Sequence, residues 1–246
     1  MSLPEFDVSG QKVLVVGAGR GIGKGIALAF AEAGAEVAVA SLTKATTGKV
    51  AEEITAMGGK ALPVTGDATK AEGMDKITSK VLAEFGHLDT LVTCVGDSIR
   101  KPVVQLPGSS DEGMTEDDWN KVVGINLTEA FQGCRSVGPH LLNRGQGSVI
   151  NISGWASFRG RPGYSAYEAS KAGIMRFTET VSQEWAPFGV RVNAVAPGSF
   201  PDPEQMSADA YKARQDDAST RVPLGRVGEL KEPGYLCVFL ASPAAS

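Results

Sequence analysis

Tyr167 and Lys171, in the run Tyr-Glu-Ala-Ser-Lys, have the residue types and the spacing to move a proton. They lie within a stretch from Tyr164 to Phe177 that contains no proline and reads as a helix. A spacing of four stacks two side chains on one helical face, one turn apart. A phenol ionises near pH ~10, and a neighbouring ammonium favours the phenolate and lowers that value. The chemistry expected of the pair is proton transfer at neutral pH. By itself the pair is not diagnostic, because Tyr and Lys meet at this spacing on many helices.

The elements that would position such a pair begin at the N-terminus. Lys12-Val-Leu-Val-Val is a short β-branched run that reads as a buried strand. Gly17-Ala-Gly19-Arg20-Gly21-Ile22-Gly23 follows at once, and then a helical pattern over 22–33 that ends at Gly34. Strand, glycine turn and helix form the opening of a dinucleotide-binding unit. Its glycines admit a pyrophosphate to the backbone, and the helix N-terminus offers it unpaired N–H groups. The glycine spacing is G-x-x-x-G-x-G through Gly17, Gly21 and Gly23, not the usual G-x-G-x-x-G.

Further along, strands are expected at 12–17, 36–41, 60–65, 89–95, 147–152 and 190–196. Helices are expected at 22–33, 45–57, 71–85, 115–142, 165–186 and 229–241. Alternation of this kind predicts an α/β protein, with a doubly wound parallel sheet and helices on both faces. The ligand crevice should lie beyond the C-terminal strand ends. Two long connections, 97–114 and 197–220, should border it, and the second is read as a substrate lid.

At 246 residues the chain can form one domain, here expected to span 1–246. The net charge of −4 gives no reason to expect nucleic acid or an anionic membrane as partner. Cys94, Cys134 and Cys237 are far apart and lack metal spacing, so free, buried thiols are expected, and no metal site. With neither a signal-like start nor an apolar run near 18 residues, a cytoplasmic protein without membrane contact is expected.

Six features in order resemble the short-chain dehydrogenase/reductase family, over nearly the whole chain and in its 3-oxoacyl-reductase-like form. They are the Gly17/Gly21/Gly23 turn, Asp67 in Gly-Asp-Ala-Thr, Asn126 in Gly-Ile-Asn-Leu-Thr, the strand Ser148-Val-Ile-Asn-Ile-Ser, the Tyr167/Lys171 pair, and Pro197-Gly198. The resemblance implies a three-layer Rossmann fold and one dinucleotide-binding catalytic domain. It also implies a homo-oligomer, tetramer or dimer, with a small carbonyl compound or alcohol as substrate. Tyr167 would be the acid/base. Lys171 would lower the Tyr167 pKa and hold the nicotinamide ribose, and Asn126 would anchor a water chain to Lys171. Cofactor contacts would come from Gly17, Gly19, Arg20, Gly21, Ile22, Gly23, Ser41, Asp67, Ala68, Gly96, Tyr167, Lys171, Pro197, Gly198 and Phe200.

The chain also departs from the family. The family's catalytic serine lies thirteen positions before the tyrosine, which here is Gly154. Ser153 is adjacent and is carried as a catalytic candidate. On an extended chain, however, neighbours point to opposite faces, so it serves only if the backbone turns sharply. Ser157, Tyr164, a backbone N–H or a water are other replacement donors. An inactivated or altered chemistry is the competing explanation, and a replacement donor is favoured because the rest of the set is intact. Val16, Thr93-Cys-Val-Gly96 and Ser199-Phe-Pro-Asp-Pro also differ from the family pattern. By the same resemblance, the family's final strand is expected to be absent after Ala241-Ser-Pro-Ala-Ala-Ser246, through a truncated chain or a sheet that ends one strand early.

An NAD site wants an acidic residue at the tip of the second strand, where this chain has Ser41. Arg20, with Ser41, Thr43 or Lys44, suits a 2′-phosphate, so NADP(H) is favoured and NAD(H) remains possible. Trp155, Phe158, Tyr164 and Phe200 line an apolar pocket or pack in the core. Arg100, Lys101, Arg159 and Arg161 suit an anionic substrate or an acyl carrier, or are solvated loop charges. His87 and His140 receive no role. The function expected is hydride transfer between a nicotinamide and a carbonyl or secondary alcohol. The alternatives are a lyase-like relative and a cofactor-binding sensor or scaffold.

Overall fold

The computed structural model describes residues 3–246, so residues 1 and 2 of the expected domain lie outside the described residues. Among the described residues six strands form one parallel sheet: β1 Lys12–Val16, β2 Glu36–Ser41, β3 Lys60–Thr65, β4 Thr90–Thr93, β5 Gly147–Ile152 and β6 Val190–Val195. Their order is β3-β2-β1-β4-β5-β6. β1 is buried along nearly its whole length, as a strand covered on both faces must be. Side chains alternate across the sheet, so Val13 and Val15 face one layer while Leu14 and Val16 face the other.

The first layer contains α1 Gly21–Glu32, α2 Lys44–Ala56 and α8 Glu232–Ala241. Ile26, Phe30, Val50, Ile54 and Cys237 pack there. The second contains α3 Ala71–Phe85, α5 Glu129–Arg144 and α6 Ser165–Trp185, through Met74, Ile77, Val137, Leu141 and Val181. Helix, sheet and helix make three layers, the doubly wound architecture expected from the alternating pattern. The chain reverses its progression across the sheet at the β1–β4 junction, where Val16 pairs with Thr93. The crevice beyond these strand ends is where such folds take ligands.

Two helical regions differ from the sequence expectation. The stretch 115–142 is not one helix. α4 Glu116–Val123, opened by a capping box between Thr115 and Asp118, runs into a π-helical turn at Gly124–Thr128 before α5 begins. Hydrophobic spacing does not register one wide turn in an otherwise continuous helix, and such turns recur at functional sites. The connection 197–220 is not all loop either, because α7 spans Ala208–Arg221. Ser207 caps it, and only Ala218 is buried. Its Ala, Lys, Arg and Gln residues are good helix formers, but without an apolar stripe the segment gave no periodic signal. The other long connection, 97–114, has no helix or strand.

Candidate active site

The glycine turn lies between β1 and α1, against the end of β4. Gly17 has φ +85°, and a Cβ there would sit 2.7 Å from the Cys94 carbonyl atoms. A Cβ on Gly23 would sit 2.2 Å from the Gly17 carbonyl oxygen. Any larger residue at either position would fill the cradle that lets the backbone close over the α1 N-terminus. The Gly21 N–H points outward and donates to the Asp202 carboxylate at 2.8 Å. A carboxylate held at this N–H shows that the turn accepts an anion, as a pyrophosphate cradle must. The residues present therefore fit a dinucleotide.

Around this turn, Arg20 is exposed and its Nη1 donates to Gln205 Oε1 at 3.1 Å. The Ser41 hydroxyl is 2.6 Å from that of Thr46. A Cβ on Gly19 would lie 2.8 Å from the Ser41 oxygen, so the tip of β2 abuts the turn. Asp67, past the end of β3, accepts from the Thr69 N–H and hydroxyl, and Ala68 beside it is buried. Pro197 accepts the Trp155 N–H at 3.0 Å, while Gly198 is exposed. The Phe200 ring packs on Gly228, where an added Cβ would come within 2.0 Å of it.

Tyr167 and Lys171 stand one turn apart on α6, on one face. The Lys171 ammonium lies 5.8 Å from the centre of the Tyr167 ring and donates to the Ile152 carbonyl at 3.0 Å. Asn126, in the π-turn, donates to the Asp97 and Val122 carbonyls at 2.7 and 2.8 Å. Among the described residues its buried Oδ1 has no partner. A Cβ on Gly96 would lie 3.1 Å from that Oδ1 and 3.3 Å from Lys171 Nζ. Gly96 thus lies between Asn126 and the ammonium and leaves room for both.

The expected effect of Lys171 on Tyr167 is not the one that prevails here. Burial pushes the Tyr167 phenol up, opposed by the Arg161 guanidinium. Burial also pulls the Lys171 pKa down, against the influence of Cys94 and Glu129. The cause is distance and desolvation: the ammonium is aimed at a carbonyl, not at the phenol, and both groups sit partly away from water.

At the serine position, the geometry separates Ser153 from Gly154. A Cβ on Gly154 would lie 3.8 Å from the Tyr167 hydroxyl. Ser153, expected in the catalytic set, is buried and donates to the Lys171 carbonyl at 2.7 Å. Its oxygen is also 2.5 Å from that of Ser157. Since the single Ser153 proton goes to Lys171, Ser157 must be the donor to Ser153. Neither hydroxyl proton is left for a substrate, and Ser153 instead ties β5 to α6.

Of the loop charges, Lys101 pairs with Asp118 at 2.8 Å and Arg161 with Glu168 at 2.8 Å. Arg161 also stacks over Trp155 and Tyr164, 4.7 and 4.2 Å from their ring centres. His140 accepts the Leu88 N–H, away from the cleft.

Glu129 escaped sequence reasoning. It is 1% exposed, and among the described residues its Oε1 has no partner. Burial pushes its carboxyl well above the usual range, opposed by Lys171 and the Val95 N–H. The available signal was its place three residues after Asn126, on the same helical side.

A family model described as enoyl-(acyl carrier protein) reductase matches residues 17–246. The 3-oxoacyl-[acyl-carrier-protein] reductase of Thermotoga maritima is 33% identical over 239 residues, covering 97% of this chain and 93% of the relative. The 2-dehydro-3-deoxy-D-gluconate 5-dehydrogenase of Escherichia coli is 32% identical over 246 residues, covering 100% and 93%. Among solved structures, a gluconate 5-dehydrogenase from Burkholderia cenocepacia, in complex with NADP and tartrate, superposes with a TM-score of 0.87. It is 28% identical and covers 98% of this chain and 92% of its own.

Proposed function

The chain belongs to the short-chain dehydrogenase/reductase family, and from that premise we propose that it is an NADP(H)-dependent carbonyl reductase or alcohol dehydrogenase. The observation that carries the reading is the Tyr167 hydroxyl facing Gly154 at the cleft, with Lys171 and Asn126 behind it. The relatives named as reductases and dehydrogenases, and the neighbour solved with NADP, support the same reading.

When bound, the cofactor would supply or accept the hydride. The glycine turn would hold its pyrophosphate, with Arg20 and Ser41 toward a 2′-phosphate and Asp67 and Ala68 toward the adenine. Tyr167 would give its proton to the developing alkoxide in reduction and take it back in oxidation. Its burial keeps the phenol protonated until the substrate oxygen asks for the proton. Lys171, carried near the phenol by α6, would stabilise the phenolate left behind. The unpartnered Asn126 Oδ1 would accept from a water that returns a proton toward Lys171. Ser153 would position this machinery by holding the Lys171 backbone.

The substrate would be a small carbonyl compound or secondary alcohol. Among the described residues no helix is long and apolar enough to cross a membrane. A cytoplasmic homo-oligomer, tetramer or dimer, fits the half-exposed Trp119 on α4 and Phe131 on α5.

Titration with NADPH and NADH, read by cofactor fluorescence, tests the binding half of the proposal. Turnover of NADPH with a 3-oxoacyl thioester and a keto sugar acid, the classes named for the relatives, tests the other half. Micromolar NADPH binding with consumption coupled to either ketone is the expected result. Absence of binding by both cofactors would overturn the reading.

A further inference from the structure

The segment after β6 folds back over the glycine turn. Asp202 is 8% exposed, and one of its carboxylate oxygens accepts the Gly21 N–H. The other accepts the Glu204 N–H at 2.9 Å and so caps the short turn Pro203–Gln205. Glu204 sits between two ammonium groups, Lys24 on α1 at 3.0 Å and Lys49 on α2 at 2.7 Å. Those two lysines hold its carboxyl down at about 2. Gln205 accepts from Arg20. Asp202, Glu204 and Gln205, three residues of one short turn, thus meet Arg20, Gly21, Lys24 and Lys49, although they lie some 155 to 185 positions away along the chain.

The chemistry of these contacts is that of a phosphorylated ligand. A carboxylate at a helix N-terminal N–H uses the same donor and the same dipole as a phosphate oxygen. A second carboxylate, Glu204, pins the segment to α1 and α2 through Lys24, which also pairs with Glu53 at 2.9 Å, and Lys49. Pro201 and Pro203 flank Asp202, fix φ on either side and limit the conformations open to the segment. The Phe200 ring on Gly228 and the Gly228 N–H to Ser199 carbonyl bond, 2.9 Å, anchor its other end.

We infer that Asp202–Gln205 is an internal anionic competitor that occupies the dinucleotide's phosphate cradle and must leave before a cofactor can bind. The inference rests on the dinucleotide reading of the glycine turn. The apparent dissociation constant of any dinucleotide is then its intrinsic value divided by the fraction of molecules in which the strap is open. That division is blind to the 2′-phosphate. Weakening the Asp202 contact therefore tightens NADPH and NADH by the same factor.

The test compares the wild type with Asp202→Asn in two measurements. Asparagine keeps the size and the acceptor but removes the charge. Titration should show NADPH and NADH both binding about 5- to 20-fold more tightly to the variant. Hydrogen exchange without cofactor should show faster exchange at Gly21–Gly23 and across Phe200–Met206 in the variant, with the rest of the chain unchanged. Unchanged or weaker binding of both dinucleotides overturns the inference, because Asp202 is then a support of the site and not its competitor. If neither protein binds either dinucleotide, the functional reading fails and exchange alone decides. Faster exchange at Gly21 then supports the strap, and unchanged exchange overturns it.

Discussion

Gly154 and Tyr167 face one another at 3.8 Å, measured from the place a Gly154 Cβ would occupy to the phenol oxygen. Gly154 has φ 174°, extended backbone that any residue adopts, and no other atom crowds the position closer than that phenol. A serine there would put a hydroxyl beside the Tyr167 proton without strain. Gly154→Ser is expected to raise kcat by about 10- to 100-fold, since one lost donor of this kind costs about 100- to 1,000-fold elsewhere. Steady-state turnover of the two proteins checks it. A fall in kcat would mean that the added side chain displaces a donor already in use.

Tyr167→Phe removes the hydroxyl, and with it the transferable proton, and keeps the ring. The expected loss is about 100- to 10,000-fold in kcat, with the NADPH dissociation constant within about twofold of the wild type. Because burial raises the Tyr167 pKa, the phenol stays protonated through neutral pH. Alcohol oxidation, which needs the phenolate, should speed up as pH rises, while ketone reduction should hold until alkaline pH. Rates in both directions across pH would show the two limbs, and Tyr167→Phe should lack them.

Arg20 stands at the mouth of the glycine turn with Gln205 as its partner. Arg20→Ala should weaken NADPH about tenfold or more and leave NADH within about twofold, since only NADPH offers the guanidinium a 2′-phosphate. Parallel titrations separate the outcomes, and equal changes for the two cofactors would remove Arg20 from the specificity site.

Glu129 has a consequence for stability. Its folded pKa lies well above the ordinary carboxylate value of 4.5. Above that ordinary value the unfolded chain releases a proton that the folded chain keeps. Stability therefore falls as pH rises from there toward the raised value. Glu129→Gln cannot titrate, so its melting temperature should decline less than that of the wild type between about pH 5 and pH 8. Thermal melts at several pH values decide. Parallel curves for the two proteins would mean that Glu129 ionises in the fold as freely as outside it.

Much of the fold was legible in local pattern. Runs such as Lys12–Val16 and Val190–Val195 are β-branched, short and bounded by glycine, and each became a strand near its expected limits. Helices with an apolar stripe, such as α1 and α3, were equally plain. What escaped has physical reasons. α7 buries only Ala218 and carries no stripe, and the π-turn around Asn126 adds a single residue to a turn without altering composition. In the candidate site, period-two reasoning separated Ser153 from Gly154, as the two side-chain directions require. It could not say that the Ser153 proton goes to the Lys171 carbonyl, since that bond joins residues on different elements. The Asp202 contact to Gly21 spans most of the chain and leaves no local trace. Burial of Tyr167, which reverses the direction expected for its pKa, is likewise a property of assembled layers.

Burial pushes the Cys94 and Cys134 thiols up to about 12 and Cys237 higher still. At neutral pH the folded chain therefore holds almost no thiolate, the form that alkylating reagents attack. The three sulfurs are distributed across the molecule: Cys237 in the α1–α8 layer, Cys134 in the α3–α5 layer, and Cys94 past the central strand β4. Cys134 and Cys237 are buried, whereas Cys94 is only partly so. The two buried thiols become reactive only when their own surroundings open, so the rate at which each is alkylated is a clock for its layer of the fold. The chain thus carries native reporters that can time the opening of one helical layer against the other, without an introduced label.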